Sequence, residues 1–379
     1  MFDFIIIYDR VFNYGGDDIT IGGIQTYLVE LARLIKENGY TVSIFQRSYK
    51  SFENSYRDIP FKGINSTKNK LVSFTRLAFE AKKNLHKNGV VIWGNDQTSV
   101  KLKDIKTISI QHGITFDIEG IESKIKRQLI GTPLYSIYRF CQRLNALRKF
   151  ERADYHVCVD YNFLNWYRTY KRVSYPNNIK VIPNFSDIPL NYLDIEKPKR
   201  PSIVFARRFV ERRGCLIFCE AIKRLKADGL QFDVFLAGDG PFKNHLINEL
   251  SHFDGIYFTK FEAENSVIFH QDKTIAVVCS LGSEGTSLSL LEAMAARCAV
   301  ISTNIGGLTN IVIDGHNGLI CDPDVHSLYE ALKRLIINKE LCNKLSRNGY
   351  ETINDSFSLI RWRKSWADLL FSVTNDNKS

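Results

Sequence analysis

The chain has 379 residues, 44% hydrophobic and 24% charged, with nine prolines, 23 glycines and a formal net charge of +10. At about 150 residues per domain this length suggests two domains, and at this hydrophobicity disorder cannot dominate. The longest apolar runs, near Phe4–Tyr8 and Ile275–Cys279, fall far short of the ~18 residues a membrane span needs, while the basic excess favours an anionic partner: nucleic acid, an anionic membrane or a phosphorylated small molecule.

The N-terminal MFDFIII carries an acid at Asp3 and no basic segment, so it reads as a first buried strand rather than a signal peptide. Short apolar strands then alternate with amphipathic helices. In the first half strands are predicted near Phe4–Tyr8, Thr41–Phe45, Val90–Trp93, Lys106–Ile110, Tyr155–Val159 and Ile179–Ile182. Helices are predicted near Ile24–Glu37, Leu71–Lys87, Leu134–Arg148 and Phe163–Tyr170. Residues 186–201 hold Pro189, Pro198, Pro201 and a run of charges, and read as an interdomain linker. A second series follows, with strands near Ser202–Ala206, Phe232–Ala237, Gly255–Thr259, Ile275–Cys279 and Ala299–Thr303. Its helices are predicted near Arg213–Ala227, Phe242–Leu250, Ser287–Ala296 and His326–Ile337. Two successive βα series predict an α/β chain with two Rossmann-like, doubly wound domains. Residues 1–185 would form the first and 202–355 the second, with ligands in the cleft they face.

Eight cysteines could make four disulfides, yet Cys158, Cys279 and Cys298 lie in apolar runs, where a free thiol behaves as a small hydrophobe. No Cys-x-x-Cys pair and no zinc-like Cys/His spacing occurs, so a reduced, cytoplasmic protein without a metal site is expected.

The most informative stretch is residues 283–303, SEGTSLSLLEAMAARCAVIST. Gly285, Thr286 and Ser287 stand at a helix entrance, where unpaired N–H groups and the helix dipole make an anion site. The helix that follows is apolar nearly all round, which predicts burial, and Glu292 sits in its middle. A buried carboxylate needs good partners; an internal partner and a ligand's hydroxyls are both open to it.

Glu284 and Glu292, seven residues apart within E-G-x-S-L-x-L-L-E-A-M-A, resemble the Glu-x7-Glu signature of retaining glycosyltransferases of family 4, which have the two-domain GT-B fold. The resemblance implies that Glu284 contacts the transferred sugar, that Glu292 binds the ribose of the donor nucleotide, and that the backbone of Thr286, Ser287 and Leu288, beside Gly285, holds the diphosphate. FARRFVERRG, residues 205–214, is similar to the family's G-R-L-x-x-x-K-G; it implies a catalytic pair of cations, Arg208 and Arg213, on the leaving diphosphate, with Arg207 in place of the usual glycine. LAGDGP supplies Gly238 as a donor-side turn, and VIPNF resembles the family's V-I-P-N-G-V at the end of the first domain. In that first domain Gly22-Gly23 opens a helix, implying that Gly23 lies close to the donor phosphate, and His112 of Gln111-His112-Gly113 implies a catalytic histidine near the sugar. Asn95, Asp96 and Asp160 end strands and are candidates for the acceptor side. The segment 356–379 matches a terminal helix that crosses back to the first domain.

The expected function is transfer of a sugar, with retention, from a nucleotide-diphosphate donor to a glycan or polyprenyl-pyrophosphate-linked glycan in bacterial surface polysaccharide synthesis (O-antigen or capsule). No cofactor and no metal are expected, because two arginines can replace a metal's charge. Residues 121–152 carry eight basic and two acidic side chains, which fits either an ordinary helix with a solvated basic face or a first-domain surface on anionic lipid; the resemblance favours the second and implies the inner face of the cytoplasmic membrane. A nucleotide-sugar epimerase of the same fold is the first alternative. A basic nucleic-acid-binding protein is the second, disfavoured because no helix-turn-helix, zinc or RNP signature is present.

Overall fold

The computed structural model describes residues 1–20, 22–66, 69–114, 128–172, 177–187, 197–282 and 284–375. The chain forms two units. The first gathers residues 1–112, 132–183 and those from 360 onward; the second holds 113–131 and 184–359.

The first unit is built on an eight-stranded sheet: β1 (Phe2–Tyr8), β2 (Val42–Ser48), β3 (Phe52–Tyr56), β4 (Ile59–Asn65), β5 (Leu85–Trp93), β6 (Lys106–Gln111), β7 (Tyr155–Cys158) and β8 (Ile179–Val181). The order across the sheet is β3-β4-β2-β1-β5-β6-β7-β8. All neighbours are parallel except β3 and β4, which form an antiparallel hairpin at one edge. Phe4, Ile5, Ile6 and Ile7 are wholly buried, as a central parallel strand covered on both faces requires. Its helices are α1 (Gly23–Glu37), α2 (Lys70–Asn84), α3 (Pro133–Phe150) and α4 (Tyr161–Lys171).

The hairpin was not predicted. Its turn is Arg57-Asp58, both with positive φ (52° and 60°), so the chain makes a tight hairpin turn without the Asn-Gly or Gly that would announce it. Strand β5 also starts five residues earlier than expected, because Leu85 leaves the helical region at the end of α2.

The second unit holds a six-stranded, all-parallel sheet: β9 (Ser202–Ala206), β10 (Asp233–Ala237), β11 (Ile256–Thr259), β12 (Ile275–Val278), β13 (Ala299–Thr303) and β14 (Leu319–Cys321). Its order, β11-β10-β9-β12-β13-β14, is the doubly wound one. The helices are α5 (Cys215–Ala227), α6 (Lys243–Leu250), α7 (Ser266–His270), α8 (Leu288–Ala295), α9 (Val325–Ile337) and α10 (Lys339–Ser356). Helix α8 buries Leu290, Leu291, Ala293 and Met294 against Val204, Ala276, Val278 and Val300, which explains its lack of a polar face.

A last helix, α11 (Leu359–Asn375), packs on the first unit. Trp366 is fully buried and its indole N–H donates to the Tyr27 hydroxyl of α1 at 2.8 Å. Arg363 binds Glu30 and Glu37 on the same helix. Of the linker, residues 188–196 lie outside the described residues; beyond them, Lys197 Nζ donates to the carbonyls of Gln271, Lys273 and Ala296 at 2.6–2.8 Å, fastening the entry to the second unit. All eight cysteines are free thiols, and seven are buried. Among the described residues no helix is long and apolar enough to cross a membrane.

Candidate functional site

In the second sheet β9 leads away to β10 on one side, and its neighbour β12 leads to β13 on the other. The loops beyond their carboxyl ends therefore part and leave a crevice. Arg207 directly follows β9, Ser280 stands two residues past β12, and Glu284 lies four further on. The side chains converge. Arg207 Nη2 meets Glu284 Oε1, and Arg213 Nη1 meets Glu284 Oε2. Arg207 Nη1 also donates to Ser280 Oγ at 2.8 Å, and that hydroxyl donates to Glu284 Oε1 at 3.2 Å. The Arg207 and Glu284 side chains are each 6% exposed and Arg213 is 22% exposed. Burial pushes the Glu284 carboxyl up, but the two guanidinium groups outweigh it and hold the acid below its ordinary value. One carboxylate against two guanidinium groups leaves a local positive charge, the sign an anionic ligand needs.

The sequence placed the cationic pair at Arg208 and Arg213. Arg213 is in the cluster; Arg208 is exposed and is not on Glu284, where Arg207 stands instead. Neighbouring residues leaving a strand point to opposite sides, so of two consecutive arginines one turns inward and the other outward. The backbone around Arg207 is held from behind by Gly238, at the end of β10: a Cβ there would lie 2.1 Å from the Arg207 carbonyl oxygen. Gly238 thus shapes the arginine loop by close approach. The backbone of Glu284 is pinned from the other side, its carbonyl accepting from Gly307 N at 2.8 Å; Gly306, at φ +54°, would place a Cβ 2.3 Å from the same oxygen.

Gly285, Thr286 and Ser287 lead into α8, which begins at Leu288. Ser287 occupies the cap position with extended backbone, but its hydroxyl pairs with Ser289 Oγ at 3.1 Å and makes no capping hydrogen bond. The helix's leading N–H groups are therefore not satisfied by their own cap, as an anion seat requires. The Thr286 carbonyl accepts from Asn184 Nδ2 at 2.5 Å. One turn into α8, Glu292 accepts a hydrogen bond on Oε2 from Ser266 Oγ at 2.6 Å. Burial raises its carboxyl above the usual range, and the serine only partly offsets this. Among the described residues its partner is a hydroxyl rather than a cation, the kind of group a ribose would offer. Ser266 and Ser280 were not singled out in the sequence, and Arg207 was marked only as standing in place of a glycine.

In the first unit, Gly23 opens α1 with Gly22 as its cap, and Gly23 is exposed. His112 follows β6. Its Nε2 lies 2.9 Å from the Gly94 carbonyl, which can only accept, so this nitrogen carries the proton and Nδ1 keeps the lone pair. Burial lowers His112 to about 4, making it a neutral imidazole near pH 7. Tyr27 stands edge-on to it, with ring centroids 5.5 Å apart. Asp96 and Asp160 are buried and pushed up to about 7 and about 6 by desolvation. Asp160 caps α4 through the N–H groups of Asn162 and Phe163, Asp96 pairs with Gln97, and Asn95 caps the short turn at Asp96–Thr98, so these three have structural partners. Among the described residues no group of three or more His, Cys, Asp or Glu side chains could hold a metal ion.

Residues 194–352 match the family model of the glycosyl transferases group 1. An uncharacterized glycosyltransferase of Methanocaldococcus jannaschii is 34% identical over 154 residues, covering 39% of this chain and 42% of the relative. A second from the same organism is 24% identical over an alignment spanning 91% of this chain and 93% of the relative. Among solved structures, sucrose-phosphate synthase from Thermosynechococcus elongatus superposes with a TM-score of 0.74 at 18% identity, covering 98% of each chain. Anabaena HepE in complex with UDP gives 0.72 at 14% identity, over 98% of this chain and 100% of that one. WaaG, a glycosyltransferase involved in lipopolysaccharide biosynthesis, gives 0.68 at 14%, over 97% and 99%. The two α/β units with their parallel sheets have the GT-B fold of these proteins.

Proposed function

Since the chain is a glycosyltransferase of group 1 with the GT-B fold, we propose that it moves a sugar from a nucleoside-diphosphate donor to an acceptor hydroxyl with retention of anomeric configuration. One observation carries the reading: Arg207 and Arg213 converge on Glu284 beside the open N-terminus of α8. The departing group is a diphosphate that gains negative charge as the glycosidic bond breaks. Arg213 and the leading N–H groups of α8 are fixed donors for that charge and need no reorganisation at the moment of reaction. Glu284 accepts hydrogen bonds from the sugar hydroxyls, and Glu292 from the ribose. His112 offers Nδ1 as an acceptor while Gly94 fixes its tautomer. Among the described residues Glu284 is tied to two guanidinium groups and does not stand as a free nucleophile; this favours front-face attack, with the leaving phosphate drawing the proton from the incoming hydroxyl. Arg213 and the N-terminus of α8 supply the charge a metal would otherwise bring, so the reaction proceeds without one. The UDP bound by HepE makes a uridine donor the first to try.

The acceptor we propose is a lipid-linked glycan at the cytoplasmic face of the membrane, in surface polysaccharide synthesis. Helix α3 supports this. Leu134, Ile137 and Phe140 are 51–60% exposed, while burial is confined to Ala146, Leu147 and Phe150 near its end. The exposed apolar groups share the helix with Arg139, Arg143 and Arg148, a composition suited to an anionic lipid surface. Of the other five cations of the predicted patch, Lys149 lies in the last turn of the same helix and Arg152 donates to the Ser99 carbonyl, while Lys124, Lys126 and Arg127 lie outside the described residues. The role of WaaG points the same way.

The test is a thermal-shift panel of UDP-, GDP- and dTDP-sugars. A donor at 100 times its Kd adds about 2.7 kcal/mol to native stability, a rise of roughly 5–10 °C for a domain of this size. Wild type should respond to one nucleotide class and Glu292→Gln much less. No response to any nucleotide sugar would overturn the reading.

A further inference from the structure

We propose that Arg207 is a positioning residue that keeps Glu284 ionised and in place when the donor diphosphate draws Arg213 away. The inference rests on the proposed reading, in which Arg213 serves the diphosphate and Glu284 the sugar.

Glu284 holds a different cation on each oxygen, Arg207 on Oε1 and Arg213 on Oε2. The two arginines are not equivalent. Arg207 is locked: its side chain is 6% exposed, its second amino group is spent on Ser280 Oγ, and its own carbonyl is wedged against Gly238. Arg213 is more open, at 22% exposure, and comes from a short 3-10 turn, Glu211–Arg213, rather than from the end of a strand. A diphosphate is a stronger partner for a guanidinium than a single carboxylate, and it competes for the exposed arginine. If Arg213 were the sole cation, donor binding would strip a buried carboxylate of its charge partner. Such a group takes up a proton rather than remain charged in a low-dielectric site. It would then lose an acceptor oxygen where the sugar hydroxyls need one. Arg207 prevents this, and Ser280 fixes the fork in which it does so. Among the described residues the other neighbours cannot substitute. The Cys279 thiol is driven up by burial and stays protonated, the turn at Gly306-Gly307 brings only backbone, and Arg208 faces outward.

Calorimetric titration with UDP and GDP, repeated in buffers of different ionisation enthalpy at pH 6.5, counts the protons taken up on binding. Wild type should take up none beyond those the nucleotide itself requires. Arg207→Gln and Arg207→Gly should each bind nucleotide and take up close to one additional proton. Arg207→Lys should return to the wild-type value, and adding Glu284→Gln to Arg207→Gln should abolish the extra uptake. The two neutral variants differ in volume, so a folding failure of one leaves the other to decide. Arg213→Ala should weaken nucleotide binding at least tenfold with no extra proton. Proton uptake in both Arg207 variants equal to wild type, with Arg213→Ala still weakened, would overturn the proposal alone. Nucleotide affinity indifferent to Arg213→Ala would overturn the reading beneath it as well.

Discussion

Glu292→Gln separates a ligand-binding acid from a structural one, because the two roles move stability and affinity in different directions. The carboxyl accepts from Ser266 Oγ at 2.6 Å, and burial raises it above the ordinary value. An acid raised in the folded state disfavours folding at every pH above its unfolded value, near 4.3, and that cost disappears as pH falls below it. Replacing the acid by its neutral isostere should therefore leave the protein as stable as wild type, or more stable, at pH 7, with any gain vanishing near pH 4. A ribose bound to the carboxylate makes charge-assisted hydrogen bonds worth about 1.5–3 kcal/mol, so the same substitution should weaken UDP or GDP binding by roughly ten- to a hundredfold. Denaturant unfolding at pH 4 and pH 7 gives the first quantity and titration calorimetry the second. A variant that loses stability at pH 7 while binding nucleotide as wild type does would make Glu292 a structural acid and refute the reasoning.

Arg213→Ala should lower turnover by about ten- to a thousandfold through lost stabilisation of the leaving group; near-normal turnover would remove the diphosphate assignment. Activity should survive excess chelator, and a loss restored by a divalent ion would contradict a metal-free reaction. The protein should float with anionic vesicles at low salt and be released by Arg139→Glu, Arg143→Glu and Arg148→Glu together; equal recovery with neutral vesicles would favour a soluble acceptor. Trp366→Ala should cost about 3–5 kcal/mol, because it empties a fully buried site and removes one hydrogen bond to the Tyr27 hydroxyl; a loss below 1 kcal/mol in chemical unfolding would show that α11 adds little to the first unit.

Both sheets were legible because their central strands are continuous apolar runs bounded by helical periodicity, as in Phe4–Tyr8 and Ile275–Cys279. Of the longer elements α10, of 18 residues, escaped; the rest of what escaped was local or short. The β3–β4 hairpin hid behind an Arg-Asp turn, β14 has three residues, and α7 has five, too few for either period to show. In the site, Glu284 and Glu292 were legible as acids placed where a helix should be apolar. Arg207 was not, because which of two adjacent arginines points inward depends on strand direction and on what Gly238 leaves room for. Along α3, Leu134, Ile137, Tyr138, Cys141, Leu144 and Leu147 recur at helical spacing, yet of these only Leu147 is buried. Periodicity says that residues share a face, not what covers it.

The return of α11 to the first unit has a consequence for biosynthesis. The segment that satisfies Tyr27, Glu30 and Glu37 is synthesised after the whole of the second unit. On a chain made at ~5–20 residues per second, the first unit therefore waits through the synthesis of residues 184–359 with one helix face uncovered. The usual order of vectorial folding, first domain first, is inverted for the finishing step. A nascent chain arrested after residue 359 should yield a protease-resistant second unit and a labile first one. A bulky insertion directly after α11 should likewise perturb the first unit before the second.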